Sequence, residues 1–253
     1  MIRSSAMRLA PALLALAACR EPIGRDDSAF YEWNGRRLHC AVDIDTVANN
    51  DMTSVETGLD RARDRNQVLE LYAHVPGATV PLDKIQAVFA AAADRGLQFV
   101  TFADMANDTL PHVGSLAFAF DDSATSAWMQ VRPILQQYGA RVTFFVTRYH
   151  TMSDQQKADI ATLAADGNDI EAHSVNHLRG PKYVDDYGMS AYLADEVQPS
   201  IDRLAADGYP VVAYAYPFGS RTPETDNAIF DRVKVIRSVT FTYGAPVEQP
   251  CPF

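Results

Sequence analysis

Short apolar runs alternate along this chain with longer stretches in which apolar positions recur every three or four residues. The runs near residues 38–44, 68–72, 98–101, 116–120, 142–146, 169–172, 211–214 and 233–238 fit short buried strands. The helical spacing falls near 54–64, 82–95, 125–138, 153–166, 190–207 and 222–230. Local chemistry supports two of these helix starts. Ser153-Asp-Gln-Gln156 reads as a capping box, and Thr222-Pro223 puts an N-cap before a first-turn proline. Strands separated by helix-length segments predict a parallel sheet, closed as a (β/α)7 or (β/α)8 barrel, and no repeat or low-complexity segment interrupts it.

One apolar run stands outside this alternation. Residues 9–18 follow Arg3 and Arg8, are too short to span a bilayer, and have the form of an export signal. The run ends on Leu16-Ala-Ala-Cys19, which looks like a lipobox, so residues 1–19 are expected to be a lipoprotein signal peptide with Cys19 as the lipidated residue. A plain signal peptide cut nearby is the alternative. Residues 20–29 are charged and unpatterned, as a tether would be, and residues 30–253 remain for one domain. The expected location is outside the cytoplasm, periplasmic or at the cell surface, held to a membrane through the lipid anchor alone.

Composition narrows the class of partner. A hydrophobic content of 47% is that of a globular chain, and a formal net charge of -10 argues against nucleic acid or an anionic membrane surface. With Cys19 acylated, Cys40 and Cys251 are left, and an oxidising compartment allows them one pairing, against two free thiols. Paired, they would staple the two ends of the domain together.

The candidate chemistry begins at the end of one strand. Leu116-Ala-Phe-Ala-Phe120 stops on Asp121 and Asp122, at the end of a strand where barrels and open α/β sheets gather their ligands. Taken alone, such a pair is more often a solvated turn at the start of a helix. His173-Ser-Val-Asn-His177 changes that, because on a helical turn residues four apart share a face. Asp122, His173 and His177 together offer one oxygen and two nitrogens and leave positions open, as in catalytic zinc sites. The same donor set occurs in iron oxygenases, although the Asp-Asp placement and the β/α alternation speak against them.

These residues resemble the polysaccharide deacetylases, the NodB-homology enzymes of carbohydrate esterase family 4. Phe118-Ala-Phe-Asp-Asp122 with 140–146, Gly167 to His177, and Tyr214-Ala-Tyr-Pro-Phe-Gly219 look like the family's first three motifs. Ala41-Val-Asp-Ile-Asp45 and the segment from Arg65 through His74 resemble its fourth and fifth, yet they come first here. The resemblance therefore implies a circularly permuted NodB-like barrel, with motif order 4-5-1-2-3. The alternative is an unrelated N-terminal extension that happens to contain His74.

The resemblance also implies roles. Asp121 would be the general base; Asp122, His173 and His177 the ligands of a divalent metal, zinc first, with cobalt, nickel and manganese open. His74 would be the general acid, kept cationic by Asp43 or Asp45, and the Phe218 backbone N–H the oxyanion donor. Tyr216, Pro217, Tyr72 and Leu71 would contact substrate, with Leu71 or Leu69 replacing the leucine that usually precedes the fifth-motif histidine. Ala215 stands where many members carry an arginine paired with the base, so a partner for Asp121 is missing from the third motif. Trp128, Tyr149, Tyr183, Tyr187 and Tyr216 are candidates for a sugar-stacking platform, set against roles in core or rim. The implied activity is removal of acetyl groups from an N-acetylated polysaccharide, and a lipid anchor, which removes much need for a partner subunit, makes a monomer the expectation. An O-acetyl esterase of the xylan type and an inactive glycan-binding lipoprotein are the rivals.

Overall fold

The computed structural model describes residues 23–240 and Cys251. The signal peptide, the lipobox cysteine Cys19 and the first tether residues lie outside the described residues. Among the described residues, no helix is long and apolar enough to cross a membrane.

Among the described residues nine strands form one sheet, and seven of them close into a barrel. In chain order these are β1 (Phe30–Tyr31), β2 (Leu38–Asp43), β3 (Val68–Ala73), β4 (Gln98–Val100), β5 (Ser115–Asp122), β6 (Thr143–Val146), β7 (Asp169–Ala172), β8 (Ala213–Ala215) and β9 (Val235–Val239). The closed ring runs β3-β2-β9-β8-β7-β6-β5 and back to β3, all parallel. β2 and β3 thus fill the gap between the last strand of the chain and β5, the position that a permuted motif order requires. The eighth parallel strand lies outside the ring. β4 and β6 share one edge of β5, β4 at Ser115–Ala117 and β6 at Ala119–Asp122, so the three-residue β4 cannot complete a closed round.

Helices pack around this ring: α1 (Met52–Arg65), α2 (Leu82–Asp94), α3 (Phe102–Asn107), α4 (Thr125–Trp128), α5 (Arg132–Tyr138), α6 (Asp154–Ala165), α7 (Gly180–Tyr187), α8 (Met189–Tyr192) and α9 (Gln198–Ala206), then α10 (Pro223–Phe230). The caps expected at Ser153 and Thr222 are both formed. Two expected helices are broken, each beside a proline. The span 125–138 divides into α4 and α5, with Pro133 in the first turn of α5. The span 190–207 divides into α8, a π-helical turn at Leu193–Val197, and α9 beginning beside Pro199. A proline removes one backbone donor from the ladder, and the chain re-registers around it. Helices α3 and α7 were not expected from the pattern. Short α3, held by a Thr101–Asp104 capping box, sends Phe102 and Met105 into the barrel interior.

Side-chain alternation along each strand sorts the core into two layers. Leu69, Leu71, Leu116, Phe118, Phe120, Phe144, Tyr214 and Ile236 face the helices. Ala41, Tyr72, Ala117, Ala119, Phe145, Ala213, Ala215 and Val239 face inward, and the many alanines suit a narrow interior. A disulfide joins Cys40 to Cys251 with Cα atoms 6.1 Å apart, tying the chain's final segment to β2 as the cysteine count anticipated.

Candidate active site

The inward register carries the chemistry to one end of the barrel. Asp43, Tyr72, Asp121 and Arg237 follow inward positions on β2, β3, β5 and β9, and Asp45, His74 and His173 continue that parity just past strand ends. With His177, Arg179 and Phe218 they line a cavity of about 260 Å³ at the carboxyl ends of the strands. Backbone strain concentrates at the same rim. Asp122, Arg148, Ser174, His177 and Phe218 all have φ between 54° and 88°, a region in which non-glycine residues cost of order 1 kcal/mol or more each.

Three donor atoms converge in this cavity. Asp122 Oδ1 lies 3.2 Å from His177 Nε2 and 3.8 Å from His173 Nε2, and the two imidazole centroids are 4.9 Å apart. His173 Nδ1 donates to the Ala215 carbonyl at 2.9 Å, so its Nε2 presents a lone pair. Burial, with His177 close by, pushes the His173 pKa well below its usual value, and burial lowers that of His177 too. Both rings are thus neutral at pH 7, the form that ligates a metal. Asp122 Oδ1 is buried yet accepts no hydrogen bond. An orphaned carboxylate oxygen facing two bare imidazole nitrogens, all within 4.8 Å of one another, fits a divalent cation.

The histidines do not share a helical turn, as the spacing had suggested. They sit on a loop after β7, with Ser174 and His177 in left-handed conformations. That loop is held by Glu196, a fully buried residue of the π-helical turn that sequence reasoning missed. Its carboxylate accepts from Ser174 Oγ (3.0 Å), Asn176 N (2.8 Å) and Asn176 Nδ2 (2.6 Å), while Ser174 Oγ accepts from His177 N at 2.9 Å. Ser174 therefore fixes the loop. π-Turns inside helices recur at functional sites, and this one aims Glu196 at the ligand loop.

The partner missing from the third motif comes from another strand. Arg237, on β9, forms a buried ion pair through Nη2 with Asp121 Oδ2, and its guanidinium lies 4.9 Å from the centre of the Tyr72 ring and 5.0 Å from that of Phe145. Asp121 Oδ1 is buried without a hydrogen-bond partner. The signal in the sequence was an arginine at an inward position of Val235-Ile-Arg-Ser-Val239, legible once strand parity is assigned.

The other half of the cavity holds a charged histidine. His74 Nδ1 lies 2.5 Å from Asp45 Oδ2, and Asp45 Oδ1 accepts from Thr79 Oγ1 at 2.9 Å. Burial opposes charge on His74, but the Asp45 hydrogen bond and the fields of Asp121, Asp45 and Asp122 outweigh it, raising the pKa to about 9. Asp43 accepts from Asp45 N at 2.8 Å, and burial together with the Asp45 charge raises its pKa to about 6. Asp45, then, is the carboxylate that grips the imidazole. Trp128 Nε1 donates to the His74 carbonyl at 3.1 Å and so fixes its backbone.

The turn after β8 completes the wall. Phe218 has φ 60° and a half-exposed ring, packed 4.6 Å from His177 and covered by the Arg179 guanidinium at 4.3 Å. The turn's own bonds run from Gly219 N to Tyr216 O and from Ser220 N to Pro217 O, leaving the Phe218 N–H outside them. Gly219 admits no side chain, since a Cβ there would meet Val239 Cγ2 at 2.4 Å.

Several expected substrate contacts are corrected. Tyr216 borders the catalytic cavity, but it is fully buried in the helix-facing layer with its hydroxyl hydrogen-bonded to Thr225 and Asp226, so its ring is not free to stack on a sugar. Leu71, one residue out of phase with Tyr72, packs against helices, and Tyr72 alone of the two lines the cavity. Pro217 is buried within the turn, where Phe218 and Gly219 supply the wall. Trp128 and Tyr149 are core residues, leaving Tyr183 and Tyr187 near the surface.

The closed parallel barrel thus gathers at its strand ends paired acids, a charged histidine and three convergent donor atoms. Residues 110–232 match the family model described as Polysaccharide deacetylase. The model does not reach Asp43, Asp45 and His74, nor Arg237. The chain is 27% identical over 109 residues to the YxkH protein of Bacillus subtilis, a match spanning 39% of this chain and 38% of that protein's length. Its fold is similar to the Streptococcus pyogenes deacetylase PplD, solved in complex with acetate, with TM-score 0.55 and 17% identity over 70% of this chain and 92% of that one. BA0330 of Bacillus anthracis gives TM-score 0.57 and 19% identity, covering 72% and 61% respectively.

Proposed function

We propose that this chain is a divalent-metal-dependent hydrolase that removes acetyl groups from an N-acetylated polysaccharide of the chitin, peptidoglycan or poly-N-acetylglucosamine kind. The observation that carries this reading is the opposition, across one cavity, of the Asp122–His173–His177 donors and the His74–Asp45 pair, with Asp121 and Arg237 between them in the barrel.

A divalent ion held by Asp122, His173 and His177 would lower the pKa of a water and polarise the amide carbonyl. The chain's own groups do the rest. Asp121, with one oxygen engaged by Arg237, offers its free oxygen to the proton of the attacking water. The Phe218 N–H stabilises the oxyanion that forms as water adds to the carbonyl carbon. His74, protonated through neutral pH by virtue of Asp45, gives its proton to the departing nitrogen as the C–N bond breaks, releasing acetate and a free amine. An arginine partner for Asp121 thus comes from β9, which answers one of the two grounds for reading the protein as an inactive binder, the other being the tyrosine at position 72 in the fifth motif.

We further propose export and lipidation at Cys19, which the Leu16-Ala-Ala-Cys19 sequence supports. The test of activity is acetate release from N-acetylglucosamine oligomers by the zinc-loaded protein beside Asp121→Asn, with acetylated xylan in parallel. Release from the oligomers that vanishes in the variant is expected. Release from xylan alone would transfer the proposal to ester cleavage, and release from neither would end it.

A further inference from the structure

A second cavity, of about 520 Å³, opens beside the first. His177, Arg179 and Phe218 belong to both, and Leu178, Lys182, Tyr183, Asp186 and Tyr187 complete its lining. Three of its apolar side chains are exposed, with Tyr187 at 67%, Phe218 at 44% and Leu178 at 40%. The two tyrosines are one helical turn apart on α7, and their rings pack 4.8 Å apart. Tyr183 is held in place, donating its hydroxyl to Asp195 at 2.9 Å, and Lys182 pairs with Asp186 at 2.8 Å along the same helix. The groove therefore combines pre-positioned aromatic faces with a satisfied polar edge.

The size of the catalytic cavity says what continues into the groove. About 260 Å³ is below the roughly 300–1,000 Å³ typical of sites that enclose a drug-sized ligand. The acetyl-bearing end of a sugar can be held there, but the rest of a chain must leave through the shared wall. The apolar C–H faces of pyranose rings stack on exposed tyrosine, while the groove's Lys182–Asp186 pair suits hydroxyls on a neutral chain.

The geometry points to the α7 groove as the binding site for the sugar residues adjoining the one that is deacetylated, with Tyr187 as its exposed stacking platform. This inference rests on the proposed function and adds to it where the neighbouring sugar residues of that polymer are held. A monosaccharide or small acetate ester reaches only the catalytic cavity.

The test compares the zinc-loaded full chain with Tyr187→Ser and Tyr187→Phe on an N-acetylglucosamine pentamer and on a small aryl acetate. Tyr187 is mostly exposed, so its replacement leaves the core intact. The expected result is a loss in kcat/KM on the pentamer of about 2- to 12-fold in Tyr187→Ser, the range one aromatic contact contributes. The loss should lie in KM, be restored by Tyr187→Phe, and be absent on the aryl acetate. Unchanged pentamer kinetics in Tyr187→Ser, or equal losses on both substrates, would overturn the proposal. If the wild-type protein releases no acetate from either substrate, the catalytic reading has failed, and pentamer binding by calorimetry decides the groove. Binding weakened by Tyr187→Ser supports it, and binding that is absent or insensitive to the substitution overturns it.

Discussion

Replacing Arg237 by methionine separates the charge of this residue from its bulk. The guanidinium of Arg237 lies against the rings of Tyr72 and Phe145, and methionine keeps much of the side-chain volume while removing the partner of Asp121. Both side chains of the pair are nearly inaccessible to solvent, at 1% and 3%. Stranding one charge of such a pair costs about 3–5 kcal/mol, which for a domain of this size lowers the melting temperature by roughly 6–20 °C. The stranded carboxylate can escape part of that cost by binding a proton, which disables it as a base. The acid limb of the pH–rate profile must therefore move up, at a tenfold loss in rate for each unit by which it passes the assay pH. Thermal melts with and without metal, and kcat/KM from pH 4 to 10, read both effects. Arg237→Lys should recover part of each, and the double variant Asp121→Asn/Arg237→Met should melt higher than Arg237→Met, because neither charge is left alone. An Arg237→Met protein with parental stability and an unmoved acid limb would refute the pairing and its role.

Other groups give sharper single readouts. His74, raised to about 9 from its ordinary 6.5, keeps its proton through neutral pH and loses it as pH rises through the folded value. Amide cleavage should therefore fall on an alkaline limb at or below about pH 9, since a nearby dication can only lower it, and His74→Gln should abolish that limb while harming ester cleavage less; identical profiles would contradict this. Glu196→Ala removes the acceptor for three loop donors and should weaken zinc affinity about 10- to 100-fold by competition with a chelator, with Glu196→Gln milder, whereas parental affinity in both would sink the positioning role. Reducing or mutating the Cys40–Cys251 bond opens a loop with a sequence separation of 211 residues and should cost up to about 5 kcal/mol in denaturant unfolding, with kcat/KM unchanged at temperatures where the protein remains folded.

Much of the site was legible before any coordinates, because its residues end strands whose apolar runs are unmistakable. The acid pair after Phe120 and the histidines after Ala172 announced themselves by interrupting buried runs, whereas His74 was reached through its resemblance to the family's fifth motif. What the sequence concealed depends on closure and parity. Asp121 meets Arg237 across 116 positions, and only a ring joining β9 to β2 and β3 brings them together. Tyr72 and Leu71 were both plausible substrate contacts until strand alternation put one inside and the other against helices. Tyr216 failed for the same reason. Glu196 lies in a stretch whose spacing reads as plain helix, and its reach to the histidine loop depends on the π-turn beside Pro199.

The most direct test of the account is acetate release from N-acetylglucosamine oligomers as zinc is returned to the chelated protein in substoichiometric steps. The account predicts no release without metal, a linear rise to one equivalent per chain, and no rise in a folded Asp122→Ala/His177→Ala variant. Release that persists undiminished after chelation, or that zinc restores equally in that variant, would contradict it.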